Sequence, residues 1–190
     1  MTIITLSGKA ESGKDTVAKI LKYKLEDLGY SVLICHYADL LKYICKTFFG
    51  WNGQKDLEGR TLLQRVGTDG IRSQRPDYWV DFIKDILHFF PNEWDYVLIP
   101  DCRFLNEVDS LKDFNVIPVK VTRPNYENHL TEEQRQHPSE TMHEHIIFSY
   151  EIVNNGMIKD ATDKVQDFVN WMFEKDMQKS LLGKIKERLE

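Results

Sequence analysis

A glycine-rich segment near the N-terminus restricts the possible folds more than any other part of the chain. It reads Gly8-Lys9-Ala10-Glu11-Ser12-Gly13-Lys14, follows an apolar run at residues 3–6, and precedes apolar residues at helical spacing. A strand, a GxxxxGK loop and a helix in this order form a P-loop, in which backbone N–H groups and the helix N-terminus surround a phosphate chain. The segment therefore predicts a nucleoside triphosphate site in which Lys14 reaches the β- and γ-phosphates.

The same loop supplies most of the residues that we expect to bind ATP. They are Gly8, Ser12, Gly13, Lys14, Asp15 and Thr16. The loop departs from the usual pattern at Asp15, because a serine or threonine that touches Mg²⁺ normally follows the lysine. Asp15 either holds the ion, directly or through water, or favours the helix N-terminus as an anion. The residue by itself leaves both alternatives open.

Four further apolar runs are predicted to be strands, at residues 32–35, 96–99, 116–121 and 152–153. They are apolar throughout and alternate with helical patterns, which indicates a parallel sheet covered by helices on both faces. We therefore predict an α/β, three-layer P-loop NTPase fold with five parallel strands. The chain has 190 residues, of which 42% are hydrophobic, and no linker or repeat, so residues 1–190 are expected to form a single domain.

Composition argues against several other classes of protein. The net charge is −5 and no basic tract is present, so we expect no nucleic-acid partner. The three cysteines form no CxxC pair, which argues against a disulfide framework and favours a reducing compartment. The N-terminus lacks the basic region of a signal peptide, and no apolar stretch is long enough to span a bilayer. We therefore expect a cytoplasmic protein without a membrane partner.

Several short segments carry a family resemblance when they are taken together and in order. They lie at residues 7–9, 12–16, 37–42, 63–69, 77–80, 101–107, 137–140 and 154–156. The most specific are the Asp-x-Arg-Phe-x-Asn-Glu pattern at residues 101–107 and the Gln-x-x-Gly-Thr-Asp pattern at residues 64–69. Through these segments the chain resembles the deoxynucleoside monophosphate kinases of tailed bacteriophages and their bacterial relatives, from residue 3 to about residue 170.

This resemblance implies a fold, a substrate and two cofactors. The implied fold has the sheet order 2-3-1-4-5, a monophosphate-binding part at about residues 40–95 and a lid insertion at about residues 123–148. The implied substrate is a nucleoside monophosphate, in particular a deoxynucleotide, and the cofactors are ATP and Mg²⁺. Dimers are common among such enzymes, so a homodimer is also expected, in a host cytoplasm if the source is viral.

Two polar residues follow the strand predicted at residues 96–99. Ligands bind at the carboxyl ends of parallel strands, so Asp101 is expected to hold Mg²⁺, although a helix-capping role is the alternative. Arg103 either grips the phosphate of the acceptor or pairs with a neighbouring acid. The resemblance places this arginine at the active site, so we expect it to bind substrate and to be catalytic.

Further substrate-binding residues are expected after the second strand and in the helical middle of the chain. The resemblance places Asp39 and Lys42 against the monophosphate, and Lys9 is a further candidate; the alternative for Lys42 is a solvated helix face. Arginines at positions 65, 72 and 75 recur at helical spacing, and we choose Arg72 as the one whose guanidinium binds the acceptor phosphate. Trp79 either stacks on the base or, more simply, packs in the core.

The segment at residues 125–145 is polar, lacks an apolar stripe and is expected to form a mobile surface excursion with little core. Arg135 within it and Arg123 at its edge are candidates to close over the triphosphate, where lid arginines stabilise charge on the transferred group. Asn155 lies in a loop after the fifth strand, and the resemblance suggests that this loop contacts the adenine of ATP.

These residues predict a phosphotransferase whose acceptor is itself a phosphate group. The expected reaction is ATP-dependent phosphorylation of nucleoside or deoxynucleoside monophosphates to diphosphates, with Lys14, Arg72, Arg103 and Arg135 as catalytic residues. One alternative is a P-loop kinase for another small phosphorylated acceptor, similar to phosphomevalonate. The other is a nucleotide-binding switch without transfer activity, which the several arginines near the acceptor site argue against.

Overall fold

The computed structural model describes the backbone of residues 1–189 and the side chains of residues 1–180 and 182. Its strands are β1 (Thr2–Ser7), β2 (Val32–Ile34), β3 (Tyr96–Ile99), β4 (Asn115–Thr122) and β5 (Tyr150–Val153). They pair in parallel in the order β2-β3-β1-β4-β5. The predictions of a five-stranded parallel sheet and of its strand order are therefore confirmed.

Eight α-helices are present in residues 1–189, and none has the length and hydropathy of a membrane span. They are α1 (Lys14–Asp27), α2 (Ala38–Phe49), α3 (Leu57–Gln64), α4 (Tyr78–Phe89), α5 (Leu105–Asp109), α6 (Glu132–Gln136), α7 (Pro138–Thr141) and α8 (Ile158–Leu189). A π-helical segment, Arg65–Arg72, continues α3, and a 3₁₀ turn, Met142–His145, follows α7. The short helices α5 to α7 span four or five residues each, which is too little for a periodic apolar stripe to show in the sequence.

Each strand alternates its side chains between the two faces of the sheet, and this alternation creates two separate cores. Ile4 and Leu98 belong to the core that α1 and α8 cover. Their neighbours Ile3 and Val97 belong to the core that α2 and α4 cover. Helices therefore lie on both faces of the sheet, as the uniformly apolar strands predicted.

The polar excursion between β4 and β5 packs more closely than its composition indicates. Leu130, Gln134 and His143 are buried within it, and Ile146, which follows it directly, joins the core on the α2 and α4 face. No residue of 125–145 belongs to either of the two cores, which agrees with the expectation that this segment contributes little core. Leu130 is nevertheless buried, although its apolar neighbours Tyr126 and Met142 are exposed.

Candidate active site

A cavity of about 360 Å³ lies at the edge of the sheet where the carboxyl ends of β1, β2 and β3 meet. Six cationic side chains line it: Lys14, Lys42, Lys55, Arg60, Arg72 and Arg103. They come from the end of the phosphate loop, from α2, from the loop after α2, from α3 with its π-helical continuation, and from the segment after β3. Convergent cations at this edge of a parallel sheet suit an anionic ligand.

The phosphate loop has the geometry that its sequence predicts. The ammonium group of Lys14 is buried and donates hydrogen bonds to the carbonyl oxygens of Gly8 and Lys9, at 2.8 Å each. Gly8 adopts a φ of 148°, and a Cβ there would lie 2.2 Å from the carbonyl oxygen of Val121 in β4. Burial, together with the nearby Arg103 guanidinium, lowers the pKa of Lys14 to about 7. The phosphates of a bound nucleotide would raise that pKa again and keep the ammonium group charged.

Asn154, which belongs to the loop expected to contact adenine, follows β5 and supports the phosphate loop. Its amide donates to the carbonyl oxygen of Ser12 at 2.8 Å and accepts from the N–H of Gly156 at 2.9 Å. A Cβ on Gly13, whose φ is 94°, would lie 2.2 Å from the Asn154 amide nitrogen. The neighbouring Asn155 is exposed, and its N–H donates to Asp160. The expected adenine contact of Asn155 stays a prediction.

A histidine connects the phosphate loop to the segment after β2. His36 forms hydrogen bonds with Asp15 at 3.0 Å and with Asp39 at 3.3 Å, and Asp39 pairs with Lys42 at 2.8 Å. Burial alone would lower the pKa of His36, but its hydrogen bond with Asp15 and the charges of Asp101 and Asp39 outweigh burial and raise it. The His36 hydrogen bond in turn lowers the pKa of Asp15. Asp15 is therefore held as an anion at the cavity wall, where Lys42 also lies.

Asp101 performs the helix-capping role that the sequence left as an alternative. Its two carboxylate oxygens accept hydrogen bonds from the backbone N–H groups of Tyr37 and Ala38, at 3.0 Å each. These contacts tie β3 to the first residues of α2. Because a carboxylate oxygen has two acceptor positions and Asp101 lines the cavity, the residue retains capacity for a cation. Its assignment to Mg²⁺ stays a prediction.

Arg72 lies at the cavity wall, as expected, and is paired there with a buried acid. Its guanidinium contacts Glu107, donates to Asn106 at 3.2 Å and lies 4.0 Å from the centre of the Phe104 ring. Glu107 also accepts from the backbone N–H groups of Arg103 at 2.6 Å and Phe104 at 3.1 Å. Burial raises the pKa of Glu107, while Arg72 and these N–H groups act against it. The Asp-x-Arg-Phe-x-Asn-Glu pattern thus supplies the carboxylate, the amide and the aromatic ring that contact the Arg72 guanidinium.

Arg103 joins the end of β3 to the lid segment and, through it, to the phosphate loop. Its guanidinium donates to the carbonyl oxygen of Ser139 and to the carboxylate of Glu140. The other oxygen of Glu140 accepts from the backbone N–H of Ala10 at 3.1 Å. Ser139 and Glu140 matched the family pattern without an assigned role. The structure brings them to the cavity together with the predicted Arg103.

Glu11 is a second acid that links the lid to the phosphate loop. Its carboxylate accepts from Tyr126 at 3.1 Å and contacts the ring nitrogen of His129 at 2.9 Å. It also pairs with Arg60 of α3 at 2.7 Å. Nearby, Arg123 stacks on Tyr126 with 3.8 Å between the guanidinium carbon and the ring centre. The segment predicted to form a lid, the phosphate loop and α3 therefore meet at the carboxylate of Glu11, which no sequence pattern singled out.

The remaining candidates lie outside the cavity or in its wall. Arg135 is exposed and donates to Asn128 at 3.2 Å within the lid. Lys9 is also exposed, and its carbonyl rather than its ammonium group makes the contact with Lys14. Trp79 is 3% exposed and donates to the carbonyl oxygen of Gly67 at 3.1 Å, so it packs in the core as part of the cavity wall. Thr16 is half-buried at the start of α1.

Comparison by sequence finds proteins that are similar to this chain. A family model described as deoxynucleotide monophosphate kinase matches residues 33–165. A protein of Acanthamoeba polyphaga mimivirus, provisionally named as a deoxynucleotide monophosphate kinase, is 32% identical, and the match covers 87% of this chain and 94% of the relative.

Solved structures of two kinases also match most of the chain, at low sequence identity. The APS kinase of Mycobacterium tuberculosis in complex with AMPPNP and APS matches 89% of this chain and 97% of its own, with 12% identity and a TM-score of 0.44. The shikimate kinase from Bacteroides thetaiotaomicron matches 89% of this chain and 98% of its own, with 12% identity and a TM-score of 0.46. These similarities are too low to assign a substrate.

Proposed function

The chain belongs to the deoxynucleotide monophosphate kinase family, and we propose that it transfers the γ-phosphate of ATP to a deoxynucleoside monophosphate. The observation that carries this proposal is the joint presence of Lys14, Arg72 and Arg103 in one cavity. A P-loop lysine suits the donor phosphates, and two arginines of other segments suit the phosphate of an acceptor.

Phosphoryl transfer requires alignment and charge neutralisation more than covalent chemistry from the protein. In this proposal the loop from Gly8 to Thr16 holds the triphosphate, while Arg72 and Arg103 orient the acceptor phosphate. An oxygen of that phosphate is already anionic, so no general base is needed. A bond forms between this oxygen and the γ-phosphorus, and the bond to the β–γ bridging oxygen breaks. The bridging oxygen keeps the electron pair and leaves as part of ADP.

Asp15 and Asp101 are the residues that would hold Mg²⁺. Both carboxylates line the cavity, and Mg²⁺ in kinase sites is bound by one or two carboxylates together with substrate phosphates. When bound, the ion supplies positive charge to the β- and γ-oxygens. Asp15 keeps a second oxygen beyond its contact with His36, and this donor set fits the ion.

We assign the substrate-binding parts within a single domain. Residues at about 40–95 form the monophosphate-binding part, with Lys42, Arg72 and Trp79 in the cavity wall. Residues at about 123–148 form the lid, which reaches the phosphate loop through the contacts of Glu11 and Glu140. Closure of the lid would bring Arg123 and Arg135 towards the triphosphate and exclude water, which prevents wasteful hydrolysis of ATP.

The test is ADP formation with ATP and Mg²⁺ against a panel of ribo- and deoxynucleoside monophosphates, with phosphomevalonate as a further acceptor. We expect strong stimulation by one or a few deoxynucleotides, which would also identify the substrates. Stimulation by phosphomevalonate alone would show that the acceptor is a phosphorylated molecule of this kind and not a nucleotide. ATP binding without stimulation by any acceptor would favour a non-catalytic switch.

We further propose a homodimer, because two contacting helices carry several exposed aromatic side chains. On α2, on α4 and directly after α4 these are Tyr43, Phe48, Phe49, Phe82, Phe89 and Phe90. Phe48 and Phe89 leave 72% and 75% of their surface exposed. Sedimentation equilibrium should give twice the mass of the chain, and the substitutions Phe48→Ser and Phe89→Ser should lower it. A monomer at every concentration would exclude this assembly.

The cytoplasm, that of the host if the source is viral, is the compartment we propose for the reaction. The cysteines Cys35, Cys45 and Cys102 are all free thiols, which fits a reducing compartment.

A further inference from the structure

The cations that line the cavity differ in whether a partner neutralises them. The three arginines each pair with a carboxylate: Arg60 with Glu11, Arg72 with Glu107, and Arg103 with Glu140. Lys42 pairs with Asp39, and the ammonium group of Lys14 donates to two carbonyl oxygens. Each of these five side chains therefore has acceptors in the protein itself.

Lys55 is the sixth cation in the cavity wall and differs from the others. Among the residues whose side chains are described, none accepts a hydrogen bond from its ammonium group, and no carboxylate lies within ion-pair distance. Burial lowers the pKa of Lys55, and the charges of Lys42 and Arg103 lower it further, against the opposing effect of Asp15. Its charged form therefore lacks compensation that an anion in the cavity would supply.

The backbone around Lys55 is held on both sides, so the position of this lysine is set before a ligand binds. The indole N–H of Trp51 donates to the carbonyl oxygen of Gln54 at 2.8 Å, and Arg60 donates to the carbonyl oxygen of Lys55 at 3.0 Å. The carboxylate of Asp56 accepts from the N–H of Gly59 at 2.8 Å and caps α3. Because these hydrogen bonds already order the loop, binding of an anion by the unpaired Lys55 ammonium group would cost little backbone entropy.

The loop that carries Lys55 packs closely against α3 at Gly59. A Cβ on Gly59 would lie 2.1 Å from the carbonyl oxygen of Gln54 and 2.7 Å from the Trp51 indole nitrogen. The loop between α2 and α3 is thus packed directly against the backbone of α3. This packing keeps Lys55 beside Arg60, whose guanidinium is also in the cavity wall.

We infer that Lys55 binds a phosphate group of the substrates inside the cavity. The inference rests on the proposed kinase function and adds to it a residue that no sequence pattern indicated. Because Lys14 already serves the donor phosphates, and Lys55 lies with Lys42 and Arg103 of the acceptor side, the acceptor phosphate is the expected ligand. The γ-phosphate of ATP is the other phosphate group that offers Lys55 the same ionic contact.

The test compares Lys55→Met with a matched lysine on α2. Lys46 is exposed and lies 5.9 Å over the Trp51 ring rather than in the cavity, so Lys46→Met removes the same charge nearby without removing a cavity group. For both variants and the unmodified chain, titration calorimetry measures binding of dAMP, dCMP, dGMP, dTMP and ATP, each alone. Steady-state assays then give KM for the acceptor and for ATP, and Lys55→Arg tests whether charge alone restores binding.

We expect Lys55→Met to weaken acceptor binding and to raise the acceptor KM by about 10-fold or more, the usual effect of losing a hydrogen bond between charged groups. Lys46→Met should match the unmodified chain, and Lys55→Arg should recover most of the loss. An increase confined to the KM of ATP would assign Lys55 to the donor phosphate. Unchanged binding and KM in a folded Lys55→Met protein would overturn the inference, whereas an unmodified chain without transfer would overturn the proposed function instead.

Discussion

At the scale of single residues, Lys14 combines an expected role with an unexpected degree of burial. It is 7% exposed, and its ammonium group already satisfies the carbonyl oxygens of Gly8 and Lys9 before any nucleotide binds. The loop therefore fixes the position of the Lys14 ammonium group through hydrogen bonds to two carbonyl oxygens. Such preorganisation lets a cation stabilise charge on the transferred phosphate without rearrangement.

We predict that Lys14→Ala lowers kcat by at least about 100-fold, the usual scale for removing one electrostatic contact to a transition state. The free energy of unfolding should not fall, because a desolvated charge is removed together with its contacts. Kinetic assays and denaturant unfolding measure the two quantities. Lys19→Ala, an exposed position on the same helix, serves as the control. Full activity in a folded Lys14→Ala protein would refute the scheme.

His143 gives a prediction about pH. It is 2% exposed, its Nδ1 has no hydrogen-bond partner in the described part of the chain, and burial together with Lys14 and Arg103 lowers its pKa to about 4. In the unfolded chain an imidazole has a pKa of about 6.5, so the unfolded state binds more protons as pH falls from 6.5 to 4. Stability attributable to His143 is therefore full above pH 6.5 and is lost as pH falls towards 4.

This linkage predicts that His143 alone removes about 2 kcal/mol of stability between pH 7.5 and pH 5. Urea unfolding at the two pH values should show that His143→Leu loses correspondingly less stability than the unmodified chain. The exposed neighbour His145, changed to leucine, should leave the pH dependence as it was. Equal losses in the His143→Leu and unmodified proteins would contradict the assignment.

At the scale of elements, two carboxylates connect the lid to the phosphate loop. Glu140 accepts from Ala10, and Glu11 contacts Tyr126 and His129 of the lid. Glu11 has a positive φ of 63°, so its backbone conformation is part of the loop geometry. The segment predicted to form the lid is thereby attached beside the loop where the triphosphate is proposed to bind.

We predict that Glu11→Gln loosens the lid without unfolding the protein. The partly exposed pairs with Arg60 and His129 contribute about 1 kcal/mol at most, so global stability should change by no more than that. Hydrogen exchange of residues 126–136 should become faster. Glu133→Gln, an exposed position in the same segment, is the matched control and should leave exchange unchanged. Identical exchange in both variants would show that Glu11 does not hold the lid.

At the scale of the whole molecule, the cavity joins the sheet edge, the α2 side and the lid. A ligand that contacts all three binds the folded chain and not the unfolded one. Ligand at 100 times its dissociation constant should therefore stabilise the protein by about 2.7 kcal/mol, which corresponds to a rise in Tm of about 5 to 10 °C for a domain of this size. Thermal unfolding with a non-hydrolysable ATP analogue, and separately with a deoxynucleoside monophosphate, measures this.

The same experiment distinguishes stabilisation by the ATP analogue from stabilisation by the monophosphate. Lys14→Ala should lose most of the stabilisation by the ATP analogue and keep that by the monophosphate, because Lys14 is assigned to the donor alone. If neither ligand stabilises the unmodified chain, the cavity is not the nucleotide site.

The local and periodic features of the chain were predictable from its sequence. Apolar runs located all five strands, because strands of a sheet covered on both faces are rich in apolar residues. The phosphate loop was predictable because its glycines and its lysine have to lie at fixed spacing between a strand and a helix. Arg72 and Arg103, which were expected to bind substrate, both line the cavity, but the carboxylates that pair with them were not foreseen.

Only the tertiary structure decided which polar groups meet. Glu140 lies 130 residues from Ala10 and 37 from Arg103 in the sequence, and the three are joined by crossovers of the parallel sheet. Polar residues in short helices and loops have no period, so nothing local distinguishes Glu140 or Lys55 from a solvated side chain. For the same reason the sequence leaves open whether Asp101 caps a helix, because its contact with α2 depends on the pairing of β2 with β3. Periodicity in the sequence indicates which face of a helix or strand is buried. The tertiary fold determines which residues of other elements contact that face.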